Sequence, residues 1–237
     1  MRATGKVSIK KCKYNKLIFD NVSAELQYAD AVATLKNLTF DTFGGNVSTS
    51  ANPIIDHNTI TYSTQDGLYI TGSSVPQVSA NLFSRNTRYA VYFTAESKPA
   101  FSTNQATDNG YNGAAVSGTF AGATTWADNL TYMIVGNLNL PVGTSLTIQP
   151  GSVLKFLPTI GWTVNGQLVA EGLDASRIVF TSIKDDNYDG DTNNDGTYTS
   201  PAPSDWGTLT IGSTASTSRF VYTNIHYGGN PAIKIDL

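Results

Sequence analysis

The chain has 237 residues, a formal net charge of −3, 14% charged residues and 21 glycines. So few charges exclude a coiled coil or a helical bundle, and 40% hydrophobic residues exclude a disordered chain. The acidic balance argues against a nucleic-acid binder, and no apolar run reaches the roughly 18 residues that a transmembrane helix needs. We therefore expect one large folded domain, or somewhat more than one.

Residues 1–49 differ in charge from the rest of the chain, with a net charge of +3 against −6 for the remainder. Apolar and polar residues alternate there, as around Val7 and Ile9, and breakers such as Tyr14-Asn15 interrupt the alternation. A period of two is typical of strands with one buried face. The segment is predicted to be a β-strand meander that caps the remaining chain or adds irregular coils to it.

Three stretches of this segment carry a resemblance: Gly5–Lys10, Tyr14–Val22, and Leu35–Thr39 followed by Phe43-Gly44-Gly45. Residues 5–49 resemble the C-terminal repeat region of AsmA-like envelope proteins. The resemblance implies a β-rich periplasmic protein connected with outer-membrane and lipid homeostasis. That role is one alternative for the function of the chain.

A repeat with a period of 23 residues follows between residues 52 and 120. Prolines recur at this spacing at Pro53, Pro76 and Pro99, and asparagines at Asn58, Asn81 and Asn104. The apolar columns agree with the same period: Ile55/Val78/Phe101, Ile60/Phe83/Ala106, Leu68/Val91/Ala114 and Ile70/Phe93/Val116. A fixed period in this range indicates a solenoid of stacked coils.

Two solenoids have repeats of about this length, the leucine-rich repeat and the parallel β-helix. A leucine-rich repeat needs Leu at fixed positions, whereas these columns mix β-branched, aromatic and small residues. A parallel β-helix is therefore predicted. Strand alternation places Leu68 and Ile70 inside, and Tyr69 and Thr71 outside. The column that begins at Asn58 is expected at a corner, where an amide can bond to the next coil.

Residues 132–237 keep the same pattern without the fixed period. The runs Leu146–Phe156, Val164–Gly172 and Ile178–Ser182 are similar to secreted bacterial β-helix proteins, and residues 52–237 resemble right-handed parallel β-helix proteins of the pectate-lyase-like kind. The predicted fold class is all-β. A right-handed parallel β-helix over residues 50–237, with three 23-residue coils at 52–120 and irregular coils at 132–237, follows the meander of residues 1–49.

The resemblance implies two functional classes, because enzymes of this fold include polysaccharide lyases and hydrolases that place carboxylates and a basic residue on an outer sheet. No two carboxylates share a column of the 23-residue repeat, so the paired acids of a glycosidase are not presented there. No catalytic residue is assigned. The sequence favours a non-catalytic structural or adhesive module outside the cell or in the envelope, with a polysaccharide lyase or hydrolase as the alternative. Met1–Gly5 lacks the pattern of a signal peptide, and the chain is expected to be a piece of a longer protein.

A polysaccharide or cell-surface glycan is the predicted partner of the outer strand face. Tyr69 and Tyr92 are expected to stack one sheet spacing apart, with Thr71 and Thr94 beside them. Aromatic rings pack on the C–H surface of sugars, and neutral hydroxyls suit an uncharged ligand. The alternative is a cross-strand packing pair that only stabilises the sheet.

The densest polar segment is Asp185–Gly196. Within it Asp191-x-Asn193-x-Asp195-Gly196 matches the first half of a calcium loop, in which alternate oxygens and a sharp glycine turn surround the cation. Ala202 occupies the position of the bidentate Glu. The predicted ligands for Ca²⁺ are Asp189, Asp191, Asn193 and Asp195, and the alternative is a solvated loop.

Overall fold

The computed structural model describes residues 2–14, 17–29, 32–42, 47–49, 52–229 and 231–236, with side-chain positions chiefly from residue 52 onward. All regular elements of these ranges are β-strands. The Phe43-Gly44-Gly45 ending of the AsmA-like resemblance lies outside the described residues. The all-β prediction is confirmed.

The strands fall into two sets along the chain. The first set is β1 (Arg2–Tyr14), β2 (Leu17–Ala29), β3 (Val32–Thr42), β4 (Val47–Thr49), β5 (Ile54–Asp56), β6 (Thr59–Thr61), β7 (Leu68–Ile70), β8 (Gln77–Ser79), β9 (Leu82–Ser84), β10 (Tyr89–Thr94), β11 (Ala100–Ser102) and β12 (Gln105–Thr107). The second set is β13 (Tyr111–Thr119), β14 (Ala123–Trp126), β15 (Tyr132–Leu140), β16 (Ser145–Ile148), β17 (Val153–Phe156), β18 (Trp162–Val164), β19 (Gln167–Glu171), β20 (Ile178–Ser182), β21 (Leu209–Ile211), β22 (Arg219–Val221), β23 (Thr223–Ile225) and β24 (Ile233–Ile235).

The first three strands pair antiparallel, β1 with β2 and β2 with β3. The predicted meander is therefore confirmed. The third strand also belongs to the solenoid, because β3 pairs in parallel with β5 through Leu35 and Ile55, and with β6 through Phe40 and Ile60. One long strand thus provides the first coil with a template for two short strands. The proposed boundary at residue 49 remains a prediction.

The regular coils form three parallel columns of short strands. Ile55, Val78 and Phe101 are directly stacked neighbours, as predicted. The central sheet runs in the order β4-β7-β10-β13-β15-β17-β20-β23. Leu68 and Ile70 point into the core and are fully buried. Each coil therefore buries its inward side chains on those of the coils above and below.

Asparagine ladders hold two corners of these coils. The predicted ladder is confirmed: Asn58 Nδ2 donates to Asn81 Oδ1 at 2.9 Å, and Asn81 Nδ2 donates to Asn104 Oδ1 at 3.0 Å. A second ladder, not predicted, joins Asn86 to Asn109 at 2.8 Å. The left-handed backbone lies one residue before each Asn, as at Ala80 with φ of 52°. The ladder bonds offset the cost of that conformation in a non-glycine residue.

The lower coils have no fixed period. Neighbours in the central sheet run from Ala114 to Tyr132, from Tyr132 to Leu154 and from Leu154 to Phe180. Large rings fill the interior of these coils, where Trp126, Trp162 and Trp206 are almost fully buried. Between β20 and β21 the chain leaves the solenoid as a long segment, residues 183–208, here called the covering loop.

Candidate functional site

The outward column of the central sheet runs through Tyr69, Tyr92, Ala115, Met133 and Lys155. Its upper part is the predicted glycan site. Its lower part lies under the covering loop, because Ala115, Met133 and Lys155 are fully buried although they point away from the core. One continuous face is thus divided into an accessible half and a covered half.

Tyr69 and Tyr92 stack as predicted, with ring centroids 5.1 Å apart and planes inclined by 6°. The parallel register pairs the two residues directly. Both tyrosines are half-buried, and on its other side Tyr69 pairs with Ser48 of β4. Tyr92 Oη lies 2.7 Å from Ser117 Oγ, and Thr94 Oγ1 lies 3.0 Å from Ser97 Oγ. Thr71 is half-buried on the strand end beside Tyr69.

The aromatic surface is larger than predicted, since Tyr89 and Tyr111 join it. The Tyr89 ring lies 6.1 Å from the Tyr92 ring and 5.4 Å from the Tyr111 ring. We call Tyr69, Tyr89, Tyr92 and Tyr111 the tyrosine face. The register pairs Tyr89 with Tyr111 and shifts between Tyr89 and Val91. The rings of Tyr89 and Tyr92 are therefore close although the two residues are three positions apart, which a strict alternation of side chains could not reveal.

An arginine is fixed against the tyrosine face. Arg88 Nε donates to Asp66 Oδ1 at 2.8 Å and Nη2 donates to Oδ2, a bidentate pair in which Asp66 is fully buried. The guanidinium lies 5.1 Å from the Tyr89 ring centroid and 5.9 Å from that of Tyr92. The hydrogen bond with Asp66 raises the pKa of Arg88 further. Asp66 and Tyr89 are 23 residues apart, so a column search that allowed an offset of one residue would have found Arg88.

The covering loop is attached to the lower half of the face by polar contacts with several coils. Lys155 Nζ donates to the carbonyl oxygen of Gly190 at 2.6 Å. Thr131 Oγ1 donates to Asp189 Oδ2 at 2.9 Å, and the Asn112 amide donates to the Thr192 carbonyl at 2.7 Å. The covering loop therefore extends back from β20 as far as β13, where it lies beside the tyrosine face.

Burial lowers the pKa of Lys155, although Asp189, Asp186, Asp185 and Asp191 act in the opposite direction. A lysine in this position carries a desolvated charge whose partners are all supplied by one loop. The contact with Lys155 therefore adds an electrostatic contribution to the docking of the covering loop.

The predicted calcium ligands are only partly brought together. Carboxylate oxygens of Asp186, Asp191 and Asp195 lie within 4.8 Å of one another. Asp189 is not in this cluster, because its carboxylate accepts from Thr131 instead. Asn193 lies beside the cluster, and its Nδ2 donates to Asp195 Oδ2 at 2.7 Å. The structure thus places Asp186 where the sequence predicted Asp189.

Three oxygens of this acidic cluster are shielded from solvent and accept no hydrogen bond: Asp186 Oδ1, Asn193 Oδ1 and Asp195 Oδ1. Burial raises the pKa of Asp186, with a further contribution from Asp191. Oxygens that accept no hydrogen bond and repel one another are suited to be ligands of a hard cation such as Ca²⁺. Calcium binding remains a prediction with a revised ligand set of Asp186, Asp191, Asn193 and Asp195.

Comparison with known proteins identifies the family. The family model described as a right handed beta helix region matches residues 2–130. Protein bark beetle of Drosophila melanogaster is 38% identical over 63 residues, which are 27% of this chain and 2% of that much longer protein. No solved structure matches the chain. The described residues contain no helix that is long and apolar enough to cross a membrane.

Proposed function

The chain belongs to the right-handed β-helix family, and on that basis we propose that it is a non-catalytic structural or adhesive module of the cell exterior or envelope that binds a glycan on its tyrosine face. The observation that carries the proposal is the parallel stack of Tyr69 and Tyr92, at 5.1 Å, on the accessible half of the central sheet. The low share of charged residues suits such a module, because its outer surface must carry neutral polar side chains.

The chemistry of the face matches a sugar chain. The ring edges carry hydroxyls that donate and accept, and the outer face of Tyr69 can pack on the C–H surface of a pyranose. Arg88 is immobilised by the buried Asp66, and its remaining N–H groups can donate to sugar oxygens. A fixed arginine beside stacked rings loses little conformational entropy on binding.

The competing explanation is a packing cluster, since stacked tyrosines on neighbouring strands also stabilise a sheet. Neutral and acidic oligosaccharides should be titrated against the wild-type chain, Tyr69→Ala/Tyr92→Ala and Tyr69→Phe/Tyr92→Phe. Glycan binding predicts an affinity loss of about tenfold or more in the Ala pair, because a ring contact and its hydroxyl bonds disappear together. The Phe pair should keep the stacking and lose the hydroxyl contribution alone.

Tyr198 provides the matched control, because it is 90% exposed and lies in the covering loop. Tyr198→Ala removes the same side-chain atoms as one substitution of the Ala pair, at an exposed position. If the Ala pair melts earlier than wild type while every oligosaccharide affinity stays the same, the tyrosines are a packing cluster and the proposal fails.

One observation favours the enzyme alternative. Arg88 lies against the tyrosine face, and the acidic cluster belongs to the loop that contacts Lys155 of the same outward column. Polysaccharide lyases and hydrolases likewise use carboxylates and a basic residue on an outer sheet. Release of unsaturated or reducing ends from any polysaccharide in the panel would select the enzyme. A role in outer-membrane and lipid homeostasis, implied by the resemblance of residues 5–49, is the other alternative.

A further inference from the structure

A cavity lies beside a sheet that does not contain the strands of the tyrosine face. It has a volume of about 370 Å³ and lies at the corner where the chain enters the sheet formed by β14, β16, β19 and β22. Its lining comes from three successive turns, residues 141–144, 165–166 and 212–218. The cavity therefore belongs to the irregular coils.

The unequal lengths of these turns create the groove. The middle turn is Asn165-Gly166 alone, whereas the turns before and after it, residues 141–144 and 212–218, are longer; we call these two turns the walls of the groove. A Cβ at position 166 would collide with the carbonyl oxygens of Pro141 and Thr144, and a Cβ at position 212 would collide with Asn165 Oδ1. Glycine at both positions lets the short turn pack closely between its neighbours and form a recessed floor.

Both walls are held in place by internal hydrogen bonds. Thr144 Oγ1 donates to the Pro141 carbonyl at 2.7 Å, and Thr214 Oγ1 donates to the Asn165 carbonyl at 2.8 Å. Ala215 is buried in the core and anchors the lower wall. A groove with fixed walls binds without first paying the entropy of ordering them.

The lining is neutral and polar. It presents hydroxyls, among them Ser145 and Thr217, and the amides of Asn165 and Gln167, but no charged side chain. Val142 is 67% exposed and adds an apolar surface. Hydroxyls and amides both donate and accept, as sugar hydroxyls do. An anion would find no counter-charge, and an apolar ligand would leave these groups unpaired.

We propose that this groove is a second ligand site, which takes a neutral saccharide of one or two rings. The volume lies at the lower end of the range for small-molecule pockets, roughly 300–1,000 Å³. Val142 contacts the C–H surface of the ring, while the hydroxyls and the Gln167 amide bond its oxygens. The site is independent of the tyrosine face and does not rest on the function proposed for it.

The experiment uses cellobiose, maltose and lactose as neutral probes and digalacturonate as the acidic probe, each titrated by NMR into the whole chain. Ser145→Tyr fills the groove, and Gln167→Leu removes its amide with little change of shape. Ser102→Tyr is the matched control, since Ser102 is exposed on β11 outside the groove. Tyr69→Ala/Tyr92→Ala is titrated in parallel, and circular dichroism confirms that each variant is folded.

At least one neutral disaccharide should bind, and both groove variants should weaken it by about tenfold or more while Ser102→Tyr leaves it unchanged. The proposal is overturned if no neutral probe binds, if digalacturonate binds as tightly, or if binding survives both groove variants. Binding that is lost only in the tyrosine double variant would also overturn it, and would leave the function proposed for the tyrosine face intact.

Discussion

The regular coils and the loop-covered coils satisfy most of their buried polar groups in different ways. Between residues 52 and 120, neutral asparagines bond to one another from coil to coil, so that each repeat supplies both a donor and an acceptor. Under the covering loop the buried groups include charged ones from distant positions, such as Lys155 and Asp185. A repeat satisfies its own polar groups, whereas an irregular segment leaves oxygens that need a partner from elsewhere.

The largest loss of stability should come from a substitution in the asparagine ladder of the regular coils. Asn81→Ala removes the acceptor of the Asn58 amide and side chain, and it also removes the donor to the Ile55 carbonyl at 2.8 Å. Because several buried groups then lose their partners, we expect the free energy of unfolding to fall by about 3–5 kcal/mol. Urea denaturation followed by circular dichroism measures it.

Asn52→Ala is the control for this variant. Asn52 Oδ1 accepts from the Val75 amide across the same 23-residue spacing, but this bond is exposed. Water can replace it, so the expected loss is below about 1 kcal/mol. Equal losses in the two variants would show that burial of the ladder contributes nothing, and would remove one side of the comparison.

The second-largest expected effect is a gain of stability at the acidic cluster of the covering loop, where three oxygens accept no hydrogen bond. Calcium at a hundred times its Kd should stabilise the chain by about 2.7 kcal/mol, because a ligand that binds only the folded state shifts the unfolding equilibrium by mass action. Asp195→Asn should abolish this gain, since Asp195 belongs to the acidic cluster. Thermal melts with calcium and with chelator provide the measurement.

Asp189→Asn separates the predicted ligand set from the revised one. Asp189 lies outside the cluster and bonds Thr131, and an Asn side chain keeps an acceptor for that bond. The calcium response should therefore survive in Asp189→Asn. Melting curves that are identical in calcium and chelator for the wild-type chain would leave the covering loop as a solvated loop, the alternative inferred from the sequence.

The periodicity explains how much of the fold was predictable. Columns such as Ile55/Val78/Phe101 and the Asn58 ladder could be inferred because a fixed spacing specifies which residues are stacked neighbours. In the lower coils the sequence predicted strands but not which strands are neighbours. The spacing between stacked residues varies there, since the spacing from Leu154 to Phe180 differs from that between Ala114 and Tyr132. No local pattern indicates where a loop such as residues 183–208 folds back.

The two candidate sites depended on the same limit. The Tyr69–Tyr92 stack followed from the repeat. Arg88 was missed because it is offset by one residue from the column of Asp66, and Tyr89 was missed because the register shifts between Tyr89 and Val91. In the acidic loop, spacing identified Asp191, Asn193 and Asp195. It could not identify Asp186, whose approach depends on how the loop docks on Lys155. Contacts between stacked repeats follow from the fixed spacing in the sequence, whereas the contacts of a docked loop do not.

The smallest expected effect is a pH dependence that tests whether the acidic cluster is under charge repulsion. The pKa of Asp186 is raised above its ordinary 3.8, mainly by burial and to a smaller extent by the charge of Asp191. A raised pKa in the folded state means that this group stabilises the fold at low pH, and that the contribution is lost as pH rises through the folded-state pKa. In chelator, Asp186→Asn should therefore gain stability relative to wild type as pH rises from about 4 to neutrality.

The sign of this difference should reverse in calcium. With the cation bound, the ionised carboxylate of Asp186 becomes a ligand, so that Asp186→Asn becomes the less stable protein at neutral pH. Asp174→Asn, at an exposed carboxylate whose side chain is 81% accessible, serves as the control and should change neither curve. A difference between Asp186→Asn and wild type that stays constant with pH in chelator would mean that the covered region, like the regular coils, already satisfies its polar groups.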